Sequence, residues 1–438
     1  MSRQARLRVL YVVYWGAAEP LGQSLVLPAV KRLARLGADL TLVTFEKSAD
    51  FANKDEMGRI AASLHEHGVR WTPLKYHKRP KAPATSFDII RGVAHGVASR
   101  LRERPDVVHA RTFIGGLMGL ALAPLLRTRL VYHNEGFYPD EQVDGGVWTA
   151  HSTAHRVATS LERRLYGRAD GIITMSHRAK RLIEQMSAVR RKETPVIVVP
   201  SCVDLNHFKP SELKPPAGLK TLRCVYVGSV GGRYRLDKAA KFVSIAQREL
   251  GLTHLRVLTR QEPGLVASML GAGGLSDDSW STDSVHYSAM PRELEEQDAG
   301  LFFLEQGLSE HGCSPTKIGE YWAMGLPVVT TPNVSDTDDI IRRERVGVIV
   351  RENSDDAYRQ AALELRSLLE DPGLATRCRR AAETYYALDP ACERQSHLYR
   401  ELVSARRAAQ LPSIISLRPA YSKLGKDDEE PADRAGVE

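Results

Sequence analysis

The chain has 438 residues, 61 Lys+Arg against 53 Asp+Glu, a formal net charge of +8 and a pI near 9.2. At 43% hydrophobic and 26% charged it reads as a soluble globular protein of about two or three domains, long enough for two sizeable cores. No apolar run is long enough to span a bilayer, and no apolar signal region precedes the first strand, so secretion is not expected.

The five cysteines, Cys202, Cys224, Cys313, Cys378 and Cys392, contain no C-x-x-C pair. That argues against a disulfide framework or a zinc site and fits a reducing cytoplasm. The positive charge suits nucleic acid, an anionic membrane surface or phosphorylated ligands. Nothing resembles a nucleic-acid motif, which leaves phosphates with or without a membrane.

The elements alternate from the start. Leu7 to Tyr14 reads as a central parallel strand. A loop with Gly22, Gln23 and Ser24 follows, then a helix with apolar residues from Leu25 to Leu36, then the strand Asp39 to Phe45. This is a βαβ unit, but G-x-G-x-x-G is absent, so no nicotinamide cofactor is expected. Asn53 to His67 reads as helix and Val69 to Pro73 as strand. Tyr76 to Pro83 is a basic, proline-broken loop, either solvated or facing an anionic lipid surface. Phe87 to Arg102 reads as helix and Pro105 to His109 as strand.

Ligands of doubly wound sheets bind beyond the carboxyl ends of the strands. His109 and Arg111 stand at one such end. After a helix from Leu117 to Leu126 and a strand from Leu130, His133 and Glu135 stand at the next. The run His133 to Glu141 mixes acids, a histidine and aromatics, which suits sugar hydroxyls or phosphate. Helix Thr153 to Tyr166, strand Gly171 to Thr174, helix His177 to Met186 capped by Ser176, and strand Pro195 to Val199 end the first half. A Pro/Lys-rich linker spans Lys209 to Lys220.

The pattern then restarts. Strand Leu222 to Val227 leads into a glycine-rich loop, Gly228 to Arg233, whose backbone N–H groups can approach a phosphate. Helix Leu236 to Leu250 and strand Leu255 to Arg260 follow, with Arg260 at the ligand end. Gly271 to Ser281 reads as a mobile loop, Val285 to Tyr287 as strand-like, Pro291 to Gln297 as helix and Gly300 to Leu304 as a buried strand.

The organising stretch is next. Ser314 suits an N-cap and Pro315 the first helical position, so the helix start presents free N–H groups and a positive dipole end. Thr316 and Lys317 lie in that turn. Lys317 opposes the dipole, so an anion is expected beside it. Glu320 follows one turn later on the same face, where it can accept from a ribose diol. Gly325 and Pro327 end the helix, and Pro327 to Thr330 is a strand. Ser335 to Arg342 is expected to close the pocket. Helices fill Asp355 to Leu369, Leu374 to Tyr386 and Ala391 to Ala409, and the polar chain from Leu411 is expected to be disordered.

Ser314-Pro315-Thr316-Lys317-Ile318-Gly319-Glu320-Tyr321 and the following Ala323-Met324-Gly325-Leu326-Pro327-Val328-Val329 resemble the donor motif of family-4 retaining glycosyltransferases of the GT-B fold. The Ser-Pro-x-Lys form resembles a bacterial subset from capsule and exopolysaccharide pathways. Glu19 to Pro28 resembles a cleft-facing loop of that subset, and Pro200 to Phe208 the inter-domain segment of the family. The resemblance implies an α/β protein of two Rossmann-like parallel-sheet domains facing across a cleft. Residues 1–205 would form the acceptor side, 206–390 would bind the nucleotide sugar, and 391–410 would be a helix crossing back.

It implies retaining transfer from a nucleotide-diphosphate sugar, a UDP-sugar by preference, to a saccharide, lipid-linked saccharide or small-molecule acceptor, with no bound cofactor or metal. The donor would meet Gly228, Ser229, Lys238, Arg260, Ser314, Thr316, Lys317 and Glu320. Lys317, Arg233 and His133 would act in catalysis. Gly22, Gln23, His109, Arg111, His133 and Glu135 would face the acceptor. Many relatives carry Glu-x7-Glu. Glu320 matches the second glutamate, but the first falls on Gly312, leaving Glu310 or His311 to substitute in part. Glu135-Gly136-Phe137-Tyr138 stands where the subset tends to have Arg-Gly-Phe-Trp, an acid for a base. Two rivals remain: a GT-B sugar-nucleotide 2-epimerase, against which Ser-Pro-x-Lys speaks, and a non-catalytic GT-B partner subunit.

Overall fold

The computed structural model describes residues 6–99, 104–213, 221–251, 253–305, 307 and 309–410. The tail from residue 411, most of the Pro/Lys linker and the side chains of Glu310 and His311 lie outside the described residues.

Two parallel sheets organise the chain. The first comprises β1 Leu7–Val13, β2 Ala38–Glu46, β3 Arg70–Lys75, β4 Val107–Arg111, β5 Arg129–His133, β6 Gly171–Thr174 and β7 Val196–Val198, in the order β3-β2-β1-β4-β5-β6-β7. The second comprises β8 Leu222–Val227, β9 Thr253–Leu258, β10 Trp280–Asp283, β11 Ala299–Phe302, β12 Val328–Thr330 and β13 Gly347–Ile349, in the order β10-β9-β8-β11-β12-β13. In each sheet the order reverses beside its first strand, so a crevice opens beyond β1 and β4, and another beyond β8 and β11.

Burial on both faces explains the sequence of the central strands. Val9, Tyr11 and Val13 of β1 enter one core, while Leu10 and Val12 enter another on the opposite face. Each such side chain contributes about 1.5 to 3 kcal/mol when fully buried. The last helix, Leu388–Gln410, adds Ala391, Cys392, Leu398, Tyr399 and Val403 to the first of these cores. The chain changes sheets around Val203, whose N–H donates to Tyr386 O at 2.8 Å, and Phe208 is already in the core of the second sheet.

Several local expectations are corrected. The helix expected from Leu117 begins at Phe113, capped by Thr112, whose hydroxyl accepts from Gly115 N at 3.3 Å. Glycines made this stretch look non-helical, but Gly116 and Gly119 lie against Tyr132 and Leu165, and against Ala110 and Leu130, where a Cβ would not fit. The loop at Gly22 is a π-helical turn, Gly22–Val26, ahead of the helix Leu27–Arg35. The basic loop ends at Lys81, where a helix runs to Ser99 with Pro83 in its first turn. The stretch read as a mobile loop, Gly271 to Ser281, ends in the start of β10, which pairs Trp280 with Leu255, and Val285 to Tyr287 is not a strand. A helix at Pro263–Ala272, unread in the sequence, precedes it.

Candidate functional site

The two crevices face each other and enclose a cavity of about 650 Å³, a size typical of small-molecule sites. Its second-domain wall centres on the helix Thr316–Ala323. That helix is set by three contacts. Tyr321 Oη accepts from Val227 N at 3.1 Å, Trp322 Nε1 donates to Val346 O at 2.9 Å, and Gly300 leaves the space that the Tyr321 ring fills. Gly319 lies against Tyr386 and Val203, which tie the helix to the segment between the domains.

Lys317 and Glu320 share the cavity face of this helix. Lys317 Nζ donates to Glu320 Oε2 at 3.3 Å. Glu320 Oε1 is buried with no hydrogen-bond partner, an acceptor left open at the site. Gly228 has φ +129 and lies over the lysine stem, since a Cβ placed there would sit 3.9 Å from Lys317 Cε. Gly228, Ser229, Arg233, Arg260, Thr316 and Lys317 all line the cavity. A helix start, a glycine turn and cations converging in this way suit a phosphate group.

Arg233 bridges the domains. It pairs with Glu141 of the first domain at 3.4 Å and donates to Cys313 Sγ at 2.7 Å. Burial by itself lowers the guanidinium pKa, but Cys313 and Glu141 outweigh it and the net shift is upward. The Glu141 carboxyl is raised by burial, against the opposing pull of Arg233.

The first-domain wall includes Trp15, Ala18, Glu19, Gln23 and Lys47. Its loop is held by Glu46 at the end of β2, a fully buried carboxylate. Glu46 accepts from Ala17 N at 2.7 Å, Ala18 N at 3.3 Å and Thr44 Oγ1 at 2.6 Å. Burial raises its carboxyl, and these hydrogen bonds pull the other way. Gly22 does not line the cavity; it packs against Gly16 and Ala17, where any side chain would collide.

Of the strand-end residues, Glu135 reaches the cavity wall, while His109, Arg111 and His133 lie behind it. Arg111 donates to Glu135 and, at 3.2 Å, to Tyr11 Oη. His133 Nδ1 lies 3.2 Å from His109 Nε2, and His133 Nε2 lies 3.6 Å from Glu135 Oε1. Burial holds both imidazoles well below the usual histidine range, joined in each case by the Arg111 charge. These two histidines are neutral, shielded groups that support Glu135 from behind; they do not face a ligand. Burial raises the Glu135 carboxyl, and Arg111 opposes that rise.

Three further expectations are corrected. Ser314 does not cap the helix: Pro315 occupies that position, and the Ser314 hydroxyl accepts from Ser201 N at 3.0 Å across the domain boundary. Lys238 lies outside the cavity lining, with Nζ 3.6 Å from Glu305 Oε2. Ser335 to Arg342 does not line the cavity. Asp336 there accepts from His177 N at 2.7 Å and Arg178 N at 3.3 Å, capping a first-domain helix, and Asp338 accepts from Asn333 N at 2.9 Å. The Asp336-x-Asp338 pair is thus engaged by backbone. Among the described residues no group of three His, Cys, Asp or Glu is placed to hold a metal ion.

Residues 24–202, most of the first domain, match the family model described as a glycosyl transferase 4-like domain. The whole fold resembles sucrose-phosphate synthase from Thermosynechococcus elongatus, with a TM-score of 0.64 at 15% identity over 91% of this chain and 100% of that one. It also resembles HepE of Anabaena, solved with UDP and glucose, with a TM-score of 0.61 at 15% identity over 90% of this chain and 100% of that one. A third likeness is to WaaG, a glycosyltransferase involved in lipopolysaccharide biosynthesis, with a TM-score of 0.61 at 15% identity over 89% of this chain and 99% of that one. No curated protein matches in sequence. Likeness at these identities shows the fold: GT-B, two Rossmann-like domains across a cleft.

Proposed function

We propose that this protein is a retaining glycosyltransferase that moves a sugar from a nucleotide-diphosphate donor, a UDP-sugar by preference, to a saccharide or lipid-linked acceptor. The pathway would be cell-surface polysaccharide or glycoconjugate synthesis, at the inner face of a membrane. The observation that carries the reading is the pairing of Lys317 with Glu320 beside Gly228, in a cavity shared by two GT-B domains. The matched glycosyl transferase 4-like domain supports it, and HepE, solved with UDP-glucose, supports the choice of donor.

Each group has a task in such a reaction. The N–H groups of the helix start and the Lys317 ammonium neutralise the diphosphate, and Arg233 joins them. These charges are fixed before the bond breaks, so they stabilise the departing diphosphate more than the intact donor. Glu320 Oε1 accepts from a ribose hydroxyl and orients the donor. Arg260, with Thr259 and Tyr287, lines the nucleoside end. The acceptor enters along Trp15, Glu19 and Gln23 of the first domain. Walls from both domains exclude water, which would otherwise hydrolyse the donor.

The first domain also carries features suited to a membrane. The helix Lys81–Ser99 buries Ala84, Asp88, Gly92 and Gly96. Its other face leaves Pro83, Phe87, Ile90, Ala94 and Val97 exposed, an apolar stripe at steps of three and four residues, with Phe87 at 51% and Ile90 at 66%. Lys78, Arg79 and Arg91 flank it. Such a face suits the boundary of an anionic bilayer. Among the described residues no helix is long and apolar enough to cross one.

The test is a thermal-shift panel of UDP, GDP, dTDP and their sugars on wild type and Lys317→Ala, followed by donor turnover with and without acceptors. A shift with one nucleotide, lost in the variant, and acceptor-dependent release of diphosphate are expected. Interconversion of the donor sugar without an acceptor would mean an epimerase. No binding by a folded protein would leave the non-catalytic partner.

A further inference from the structure

We infer that Glu141 of the first domain is the carboxylate that contacts the transferred sugar, in the place left by the missing side chain at Gly312. This rests on the donor site proposed above and adds a residue that the donor motif does not contain.

Gly312 precedes Cys313 and Ser314 at the entrance to the donor helix and is buried against the first domain. A Cβ on it would lie 3.0 Å from Gly136 Cα, 3.3 Å from Phe137 N and 3.2 Å from the Phe137 ring. A glutamate there would press on the first-domain backbone, which would have to give by a few tenths of an ångström to admit it. Gly136, on the other side of the contact, has φ +152, and a Cβ on it would collide with Glu141 Oε1. Two glycines, one from each domain, therefore meet back to back, and the carboxylate beside them comes from Glu141. Its short helix, Tyr138–Asp144, is anchored across the cleft by Asp144 Oδ2, which accepts from Ser309 N at 2.9 Å.

The position of Glu141 along the donor follows from the other groups. Glu320 marks the ribose, and Lys317 with Gly228 marks the diphosphate. Arg233, Cys313, Glu135 and Glu141 also line the cavity, and the contacts of Arg233 with Cys313 and Glu141 hold them together as one group. A sugar joined to the outer phosphate would reach that group through Arg233. In the structure Glu141 pairs with Arg233 at 3.4 Å. A diphosphate is the stronger partner for a guanidinium, so donor binding draws Arg233 to the phosphates and frees the carboxylate to accept from sugar hydroxyls. No bond is made or broken at Glu141; it recognises the sugar. Being half-buried and desolvated, it discriminates against a donor lacking the hydroxyl it receives.

The test is titration calorimetry of wild type, Glu141→Gln and Glu141→Ala with UDP against UDP-glucose, and with GDP against GDP-mannose in parallel. In Glu141→Ala the diphosphate should bind as tightly as in wild type or more tightly, because a competing anion is gone. The sugar nucleotide should bind roughly tenfold or more weakly relative to that diphosphate. Glu141→Gln, which keeps one acceptor oxygen, should fall between the two. A constant ratio of sugar-nucleotide to diphosphate affinity in all three proteins would overturn the inference. So would a loss of affinity for the diphosphate itself equal to the loss for its sugar form, since Glu141 would then act through Arg233. If wild type binds none of UDP, GDP, dTDP or their sugars in the panel above, the donor-site reading falls and this inference falls with it.

Discussion

Tyr399 Oη lies 2.7 Å from His109 Nδ1, joining the last helix to the central strands of the first domain across 290 positions of sequence. Gln395 Nε2 donates to the same oxygen at 2.5 Å, so the tyrosine proton goes to the histidine. With that proton on the Nδ1 side of His109, His109 Nε2 is the next donor in the line, to His133 Nδ1 at 3.2 Å, while His133 Nε2 is buried without a hydrogen-bond partner, 3.6 Å from Glu135 Oε1 on the cavity wall.

Tyr399→Phe removes one oxygen and leaves a buried imidazole nitrogen without its donor. The expected cost is about 1 to 3 kcal/mol, read as a lower urea midpoint. The histidines packed behind Glu135 should loosen while the nucleoside end is untouched, so nucleotide binding should persist and turnover should fall. An unchanged midpoint together with unchanged turnover would count against the line.

Lys317→Ala should weaken diphosphate binding by roughly ten- to a hundredfold, the worth of a charge-assisted hydrogen bond of about 1.5 to 3 kcal/mol. Lys317 is the partner of the buried Glu320, so the unliganded melting temperature should also fall somewhat, and the affinity loss is read on protein kept below that temperature. Glu320→Gln should behave differently. It keeps one acceptor oxygen and removes the partner of Lys317, so affinity for the free diphosphate should hold or rise while affinity for the nucleoside falls. Equal losses in both variants for diphosphate and nucleoside would argue against separate tasks.

The same contrast explains what could be read from the chain. Strands such as β8, and helices such as Leu236–Leu250 and Asp355–Leu369, match the spans read from the sequence, because unbroken apolar runs and 3.6-residue periods report burial directly. The helix Thr316–Ala323 was legible because Gly325 and Pro327 mark its end locally. Ser314 was misread for the same reason: its spelling suits a cap, but Ser201, 113 positions away, claims the hydroxyl. Glu46 gave no sign of the two N–H groups it accepts, which lie 28 and 29 residues upstream. His109 and His133 stood at strand ends, where ligands bind, but neighbouring side chains bury them and Glu135 takes the wall. Asp336 is the converse case, a residue placed near the ligand by its sequence position yet used to cap a helix 159 positions earlier. Local chemistry is visible in sequence, and partners supplied by the other domain are not.

Phe87→Ser with Ile90→Ser removes the most exposed apolar groups of the helix Lys81–Ser99. Both side chains lie on its outer face, so the fold should tolerate the change. Co-sedimentation with vesicles containing phosphatidylglycerol should drop several-fold, the two side chains together being worth about 2 kcal/mol or more at a lipid boundary. Binding of wild type should also weaken with salt, because Lys78, Arg79 and Arg91 add an electrostatic part. Equal sedimentation of wild type and variant would remove this face as the membrane contact while leaving the proposed donor site untouched.

Glu162 gives the fold a pH dependence of unusual sign. It is 6% exposed in the helix Thr153–Arg168, and its Oε1 accepts from Tyr138 N at 3.1 Å. Burial, joined by the negative charge of Asp140 and Glu141, pushes its carboxyl up from the ordinary 4.5 to about 8. The folded chain therefore keeps a proton that the unfolded chain releases. A group held more protonated in the folded state stabilises it fully below the unfolded value, and that contribution is lost as pH rises through the folded value. Between about pH 5 and pH 8 the loss is on the order of 1 to 4 kcal/mol, opposite in sign to that of a salt-bridged carboxylate. Glu162→Gln keeps the acceptor for Tyr138 and abolishes the titration. The variant should be the more stable protein at pH 8.5 and should show a flatter profile of urea midpoint against pH. Parallel profiles for the two proteins would show that Glu162 is ionised throughout, despite its burial beside Asp140 and Glu141.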